Sequence, residues 1–247
     1  MKEKQKTVIV TGASTGLGKA IAKLFLDKGH NVVMNSVHEE NLRSTYAAFG
    51  SPANAVPVVG DISQAHTGEK IVQTAMDTFG SVDVLVNNAG VFEPKPFLDV
   101  TEKDIDRFIS INLKGTFFTS QSAIKRMLLQ GGGSIINIGT VLVDHAIAGL
   151  PATAPLLSKG GIHALTRQLA AEFALNNIRV NTIAPGVIRT PLQEKNGVKD
   201  ADSLAGVHLL KRIGEPESIA NAVYYLAMDN FVTGITLNVD GGHVAGH

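Results

Sequence analysis

The chain has 247 residues, enough to bury one sizeable core, and its 22 basic and 22 acidic side chains leave a formal net charge of zero. That balance argues against a nucleic-acid or membrane-surface binder, whose affinity comes from clustered basic charge. No cysteine is present, which excludes disulfides and thiolate chemistry, and no run nears the roughly 18 apolar residues of a membrane-spanning helix.

A short charged lead, MKEKQK, runs into TVIVT at 7–11, the first strand-like segment, without an apolar stretch of signal-peptide length. A soluble, cytoplasmic protein is therefore expected. Helical spacing follows over Leu17–Lys28, then strand patterns at 31–35 (NVVMN) and 55–59 (AVPVV). Thr67–Phe79 reads as a helix and VDVLVN at 82–87 as a strand. Thr101–Met127 reads as one long helix, opened by TEKD with Thr101 as cap and acids in the first turn. SIINIG at 134–139, a helix over Lys159–Asn176, IRVNTIA at 178–184 and ITLNVD at 235–240 complete the series. Between the last two strands, about 187–213 is irregular, polar and charged, and its part from about 190 to 213 suits a lid. Several strands are apolar on both faces, as parallel strands covered by helices are. Such alternation implies one open α/β domain with right-handed crossovers, and no linker or repeat divides the chain.

TGASTGLGKAIA at 11–22 joins the first strand to the first helix. Gly12 permits a sharp turn, while Gly16 and Gly18 let backbone approach a diphosphate and the helix pack closely on the sheet. Helix N-terminal amides face the anion, and Ser14 and Thr15 add hydroxyl donors. The G-x-x-x-G-x-G spacing differs from the G-x-G-x-x-G dinucleotide fingerprint, and a plain strand–helix turn is the competing reading.

Thr11–Gly18, NNAG at 87–90, Asn112 in SINLKGTF, PGVIRT at 185–190 and VDGG at 239–242 occur in one order across essentially the whole chain. In this the sequence resembles the short-chain dehydrogenase/reductase family. The resemblance implies a single-domain Rossmann fold, a doubly wound sheet of seven parallel strands with helices on both faces, in a family that is often tetrameric. It further implies that Gly12, Ser14, Thr15, Gly16, Leu17 and Gly18 hold the diphosphate and adjacent ribose of a nicotinamide cofactor. Asp61 and Ile62 (GDIS) would meet the adenine, and Asn88, Ala89 and Gly90 would lie beside the cofactor. Pro185, Gly186, Val187, Ile188 and Thr190 would line the nicotinamide end. No metal site is expected.

The end of the second strand bears on the choice between NAD and NADP. An acid there binds the ribose 2′-hydroxyl, whereas an arginine binds a 2′-phosphate. VVMNSVHEEN places Ser36 where the acid would sit and Val37 where an arginine often follows. Lack of the acid removes a barrier to NADP without supplying strong attraction, which tips the expectation slightly to NADP, with NAD still open.

The family's usual site combines a tyrosine acid/base, a serine that polarises the carbonyl, a lysine four after the tyrosine, and a helix asparagine. A phenol of pKa ~10 must be lowered toward neutrality to exchange protons, and a neighbouring ammonium does this. Asn112 and Lys159 (in SKGGIHALTRQLA) match, and Thr140 in NIGTV takes the serine's place. The tyrosine has no match: Pro155 stands there, and the tyrosines of the chain are Tyr46, Tyr224 and Tyr225. His145 in LVDHAIAG is the nearest alternative proton carrier by sequence, against the plainer reading of a loop histidine. Ser158 is read as a helix cap.

Three readings follow. The first is an NAD(P)-dependent oxidoreductase on a small carbonyl or alcohol substrate, with a proton source that is Thr140 with water, Lys159, His145 or the substrate itself. The second is a nucleotide-binding regulatory protein without turnover, and the third a non-redox lyase or dehydratase. The first is preferred because the cofactor cradle, Asn112 and Lys159 remain. A homo-oligomer, tetramer or dimer, is expected, with no nucleic-acid or membrane partner.

Overall fold

The structure, a computed structural model, describes residues 4–246. Seven parallel strands form one sheet in the order β3-β2-β1-β4-β5-β6-β7. They are β1 (Thr7–Thr11), β2 (Asn31–Ser36), β3 (Ala55–Val59), β4 (Val84–Asn87), β5 (Gly133–Ile138), β6 (Ile178–Pro185) and β7 (Thr236–Val239). The helices are α1 (Gly16–Asp27), α2 (Glu39–Ala48), α3 (Ala65–Phe79), α4 (Glu102–Phe108), α5 (Gly115–Gln130), α6 (Thr153–Phe173), α7 (Pro191–Lys195) and α8 (Pro216–Met228). The order reverses between β1 and β4, which is where open α/β sheets open a ligand crevice at the carboxyl ends of the strands.

Alternation along a strand explains both layers. On β1, Val8 and Val10 belong to one core with Phe25 of α1 and Val223 of α8. Ile9, pointing the other way, belongs to a second core with Ile71 of α3 and Met127 of α5. All three β1 residues are fully buried, so the strand must be apolar throughout. No helix among the described residues is long and apolar enough to cross a membrane.

Polar groups also pass through the sheet. Asn87 donates to Ser120 Oγ at 2.9 Å and to Asn137 Oδ1 at 2.8 Å. Asn137 donates to Thr166 Oγ1 at 2.9 Å, and Thr166 shares a 2.7 Å bond with Thr182. This chain ties α5, β4, β5, α6 and β6 together and leaves few ways for them to shift.

Three expectations change. The long helix over Thr101–Met127 is broken by a π-helical turn, Ile109–Lys114, between α4 and α5. The helix expected from Lys159 begins six residues earlier, at Thr153, so Pro155 and Ser158 lie inside it. Proline is tolerated there because N–H groups of a first turn have no intrahelical acceptor to lose. The segment expected to be irregular and to form a lid is partly helical: it contains α7 and a 3-10 segment, Ala201–Val207. Arg189 braces it through Asp202 at 2.8 Å and Glu215 at 3.0 Å.

Candidate functional site

The carboxyl edge of the sheet gathers the residues picked from sequence. After β1 the chain turns through Gly12 and Gly16, both with positive φ (66° and 52°), into α1. A Cβ on Gly18 would collide with the Gly12 carbonyl, which is why that position is glycine. The turn is locked to the end of β4: Asn88 Nδ2 donates to Thr11 O at 2.9 Å and to Gly12 O at 3.2 Å. Thr11 Oγ1 accepts from the N–H groups of Asn88 and Ala89, each at 3.0 Å. Thr15, at the start of α1, makes no side-chain capping bond, and no acid stands in the first turn. The uncapped amides and their positive end suit an anion such as a diphosphate.

Ser14 Oγ lies 2.9 Å from Ser36 Oγ, and Ser36 Oγ accepts the His38 N–H at 3.2 Å. The position expected to read the ribose is therefore a buried serine pair, neutral on both sides. Asp61 is exposed just beyond β3, one oxygen held by the Ser63 N–H at 2.9 Å, while Ile62 is buried beside it against Gly115. Thr190 closes over the glycine loop, since a Cβ on Gly16 would lie 3.4 Å from Thr190 Cβ. Its hydroxyl donates to Gln193 Oε1 at 2.7 Å, so it offers an incoming group lone pairs rather than a proton. Pro185 ends β6, and Gly186, Val187 and Ile188 lead from it to Thr190.

The candidate chemical centre joins three elements. Asn112, fully buried in the π turn, donates to Val91 O at 3.0 Å and to Ser158 Oγ at 2.9 Å, and accepts from Val91 N at 2.8 Å. Ser158 donates onward to Pro155 O at 2.7 Å, so it is a link between helices and not a cap. Lys159 is 9% exposed and donates to Ile138 O at 2.7 Å. Among the described residues that carbonyl is its hydrogen-bond acceptor, which leaves two of the three ammonium protons undirected. Burial pulls the ammonium down to about 8. Gly90 keeps the space before it open: a Cβ there would sit 3.0 Å from Asn112 Oδ1 and 3.6 Å from Lys159 Nζ.

These features fit a dinucleotide. Uncapped α1 amides would hold the diphosphate, and one of the two undirected Lys159 protons would hold a ribose hydroxyl, leaving the other for a reacting group. Thr140 follows β5, and its Oγ1 accepts from Leu142 N at 3.3 Å, leaving its own proton to donate. Pro155 lies one helical turn before Lys159 and carries no proton donor or acceptor in its side chain. Tyr46 is on α2, and Tyr224 and Tyr225 are on α8.

His145 packs edge-on against His243, with Nδ1 3.3 Å from His243 Nε2. Both line a cavity of about 370 Å3 with Ala146, Ile147, Ala148, Gly206 and Val207. His145 thus belongs to the cavity wall and is brought together with His243 of the C-terminal segment. Sequence reasoning passed over His163, one turn after Lys159 and 2% exposed, whose Nε2 has no partner among the described residues. Burial lowers its pKa and favours the neutral ring. The missing side chain of Gly139 makes room for it. Its four-residue spacing from Lys159 was the available signal.

Comparisons with known proteins bear on the family and the fold. The family described as enoyl-(acyl carrier protein) reductase matches residues 12–244. A 3-oxoacyl-(acyl-carrier-protein) reductase, FabG of Thermotoga maritima, is 36% identical over 247 residues, covering 99% of this chain and 100% of that one. L-rhamnose 1-dehydrogenase (NAD(P)(+)) of Azotobacter vinelandii is 36% identical over 249 residues, covering 96% of each. Among solved structures, ElxO with NADP bound superposes with a TM-score of 0.91 at 30% identity, covering 98% of this chain and 100% of that one. A short-chain type dehydrogenase/reductase from Mycobacterium marinum gives 0.91 at 30% identity, with 97% and 96% covered. With the sheet order, the glycine turn and the Asn112–Lys159 centre, these likenesses place the chain in the short-chain dehydrogenase/reductase family.

Proposed function

We propose that this protein is an NAD(P)-dependent oxidoreductase that interconverts a small carbonyl compound and its alcohol, with Lys159 in place of a phenol as the proton source. Bound nicotinamide would supply or accept the hydride. In reduction, the carbonyl carbon takes the hydride and the carbonyl oxygen takes a proton from the Lys159 ammonium, giving the alcohol. Thr140 donates its hydroxyl proton as a hydrogen bond to the carbonyl oxygen and steadies the charge developing there. Asn112 and Ser158 position the lysine helix.

The observation that carries this reading is the buried Lys159 ammonium. It has protons to spare, its pKa is about 8, and Pro155 stands one turn away where no side-chain proton is available. A group that titrates near neutrality suits both directions of proton transfer.

NADP is preferred over NAD because Ser14 and Ser36 present hydroxyls and no carboxylate that would repel a 2′-phosphate. ElxO, similar in fold, holds NADP. A dimer or tetramer is the assembly proposed, on family membership.

The test is oxidation of NADPH and NADH by purified protein across a panel of aldehydes, ketones, 3-oxoacyl thioesters and aldoses. Turnover with at least one substrate, reduced about tenfold or more by Thr140→Val, is expected. Tight cofactor binding without turnover on any of them would contradict the proposal.

A further inference from the structure

We propose that His208 is a positioning residue that sets the backbone of the turn after β6 for the nicotinamide end of the cofactor. The inference rests on the reading above that residues 185–190 face the nicotinamide. His208 follows the 3-10 segment Ala201–Val207 of the lid and is 1% exposed. Its Nδ1 lies 2.7 Å from Arg212 O, and a carbonyl only accepts, so Nδ1 carries the proton. Nε2 is then a bare acceptor, and it takes the Val187 N–H at 3.0 Å. The Val187 carbonyl, at the other end of the residue, accepts from Gly214 N at 2.9 Å. Both backbone groups of Val187 are thereby held from the lid side.

Two glycines are shaped to this ring. A Cβ on Gly186 would come within 2.7 Å of His208 Nε2, and one on Gly241 within 3.2 Å of His208 Cβ. Gly186 itself donates to Val239 O at 3.1 Å, so the ring sits between the exits of β6 and β7. Burial alone would be met by leucine. Leucine offers no acceptor, however, and would leave the Val187 N–H unpaired in the interior, free to turn away. The same imidazole therefore joins the lid to the segment under it, and the lid's placement is read at the nicotinamide end.

The test compares wild type with His208→Leu and His208→Gln, whose amide oxygen can again accept. Calorimetry measures Kd for NADPH and for 2′-phospho-ADP-ribose, which lacks the nicotinamide. Leucine is expected to weaken NADPH about tenfold and the fragment less than about twofold, with glutamine recovering most of the loss. Equal losses for both ligands, no loss for either, or no recovery by glutamine would overturn the proposal. Equal affinity of wild type for NADPH and the fragment would instead remove the nicotinamide reading, and this inference with it. Should the leucine variant fail to fold, ring 15N shifts of wild-type His208 decide. Nδ1 protonated and Nε2 bare is expected, and the opposite tautomer excludes the acceptor role.

Discussion

Asn112 Nδ2 donates to Ser158 Oγ at 2.9 Å, joining the π turn to the residue just before Lys159. The same side chain takes both backbone groups of Val91 in the turn that leaves β4. One amide therefore fixes three segments that meet at the candidate centre. Extra width in the π turn is what lets Asn112 point there, and such turns recur at functional sites.

Replacing Asn112 with leucine would strand the Val91 N–H and carbonyl and leave Ser158 without its donor. A loss of about 2–4 kcal/mol in urea unfolding is expected, with turnover falling further than stability alone explains. An unchanged unfolding midpoint would contradict the role assigned to this amide.

Lys159→Met separates stability from function. The ammonium is buried and its folded pKa of about 8 lies below the 10.5 of the free side chain. At pH values below 8 both states hold the proton, and keeping it buried costs about 3 kcal/mol. Between about 8 and 10.5 only the unfolded state holds it, so wild-type stability from this group rises with pH across that window. Methionine at 159 is expected to raise stability at pH 7 by about 1–3 kcal/mol and to abolish turnover. Thermal melts of the two proteins at pH 7 and pH 10 check both the gain and its shrinkage at high pH.

Pro155→Tyr tests the missing phenol directly. The new hydroxyl would stand on the Lys159 face of α6, where an ammonium lowers a phenol pKa toward neutrality. A gain in kcat of at least about tenfold is expected, absent when Lys159 is also replaced by methionine. A folded variant with no gain would show that the space above Lys159 is not the reacting position.

Gly18→Ala places a methyl against the Gly12 carbonyl and the Asn88 amide. Loss of cofactor binding, with a stability loss of about 1–3 kcal/mol, is the expected result. Binding at wild-type affinity in a calorimeter would contradict the assignment of this turn to the diphosphate.

Much of this was legible in the sequence because the signals are local. The apolar runs on both faces of 7–11 and 134–139 mark interior parallel strands, and the glycines of 12–18 mark a turn whose shape only glycine allows. The start of α6 was hidden because ATAP lacks amphipathic spacing and Pro155 reads as a break, although a first turn tolerates it. The π turn was hidden because an extra residue leaves no change in composition. Ser158, His163 and His208 were underread for a different reason: each is defined by a partner 21 to 46 residues away, or by a glycine that makes room. Such pairings are tertiary, and a single sequence does not print them.

The pH dependence of turnover, followed in wild type and in Lys159→Arg, tests the role of Lys159 most directly. Arginine keeps the charge but does not titrate in the accessible range. Wild-type carbonyl reduction is expected to fall as pH rises through about 8, with alcohol oxidation rising over the same range, and the arginine variant is expected to lose that limb. A wild-type profile flat from about pH 7 to 9.5, or a limb that survives in Lys159→Arg, would place the proton on some other group.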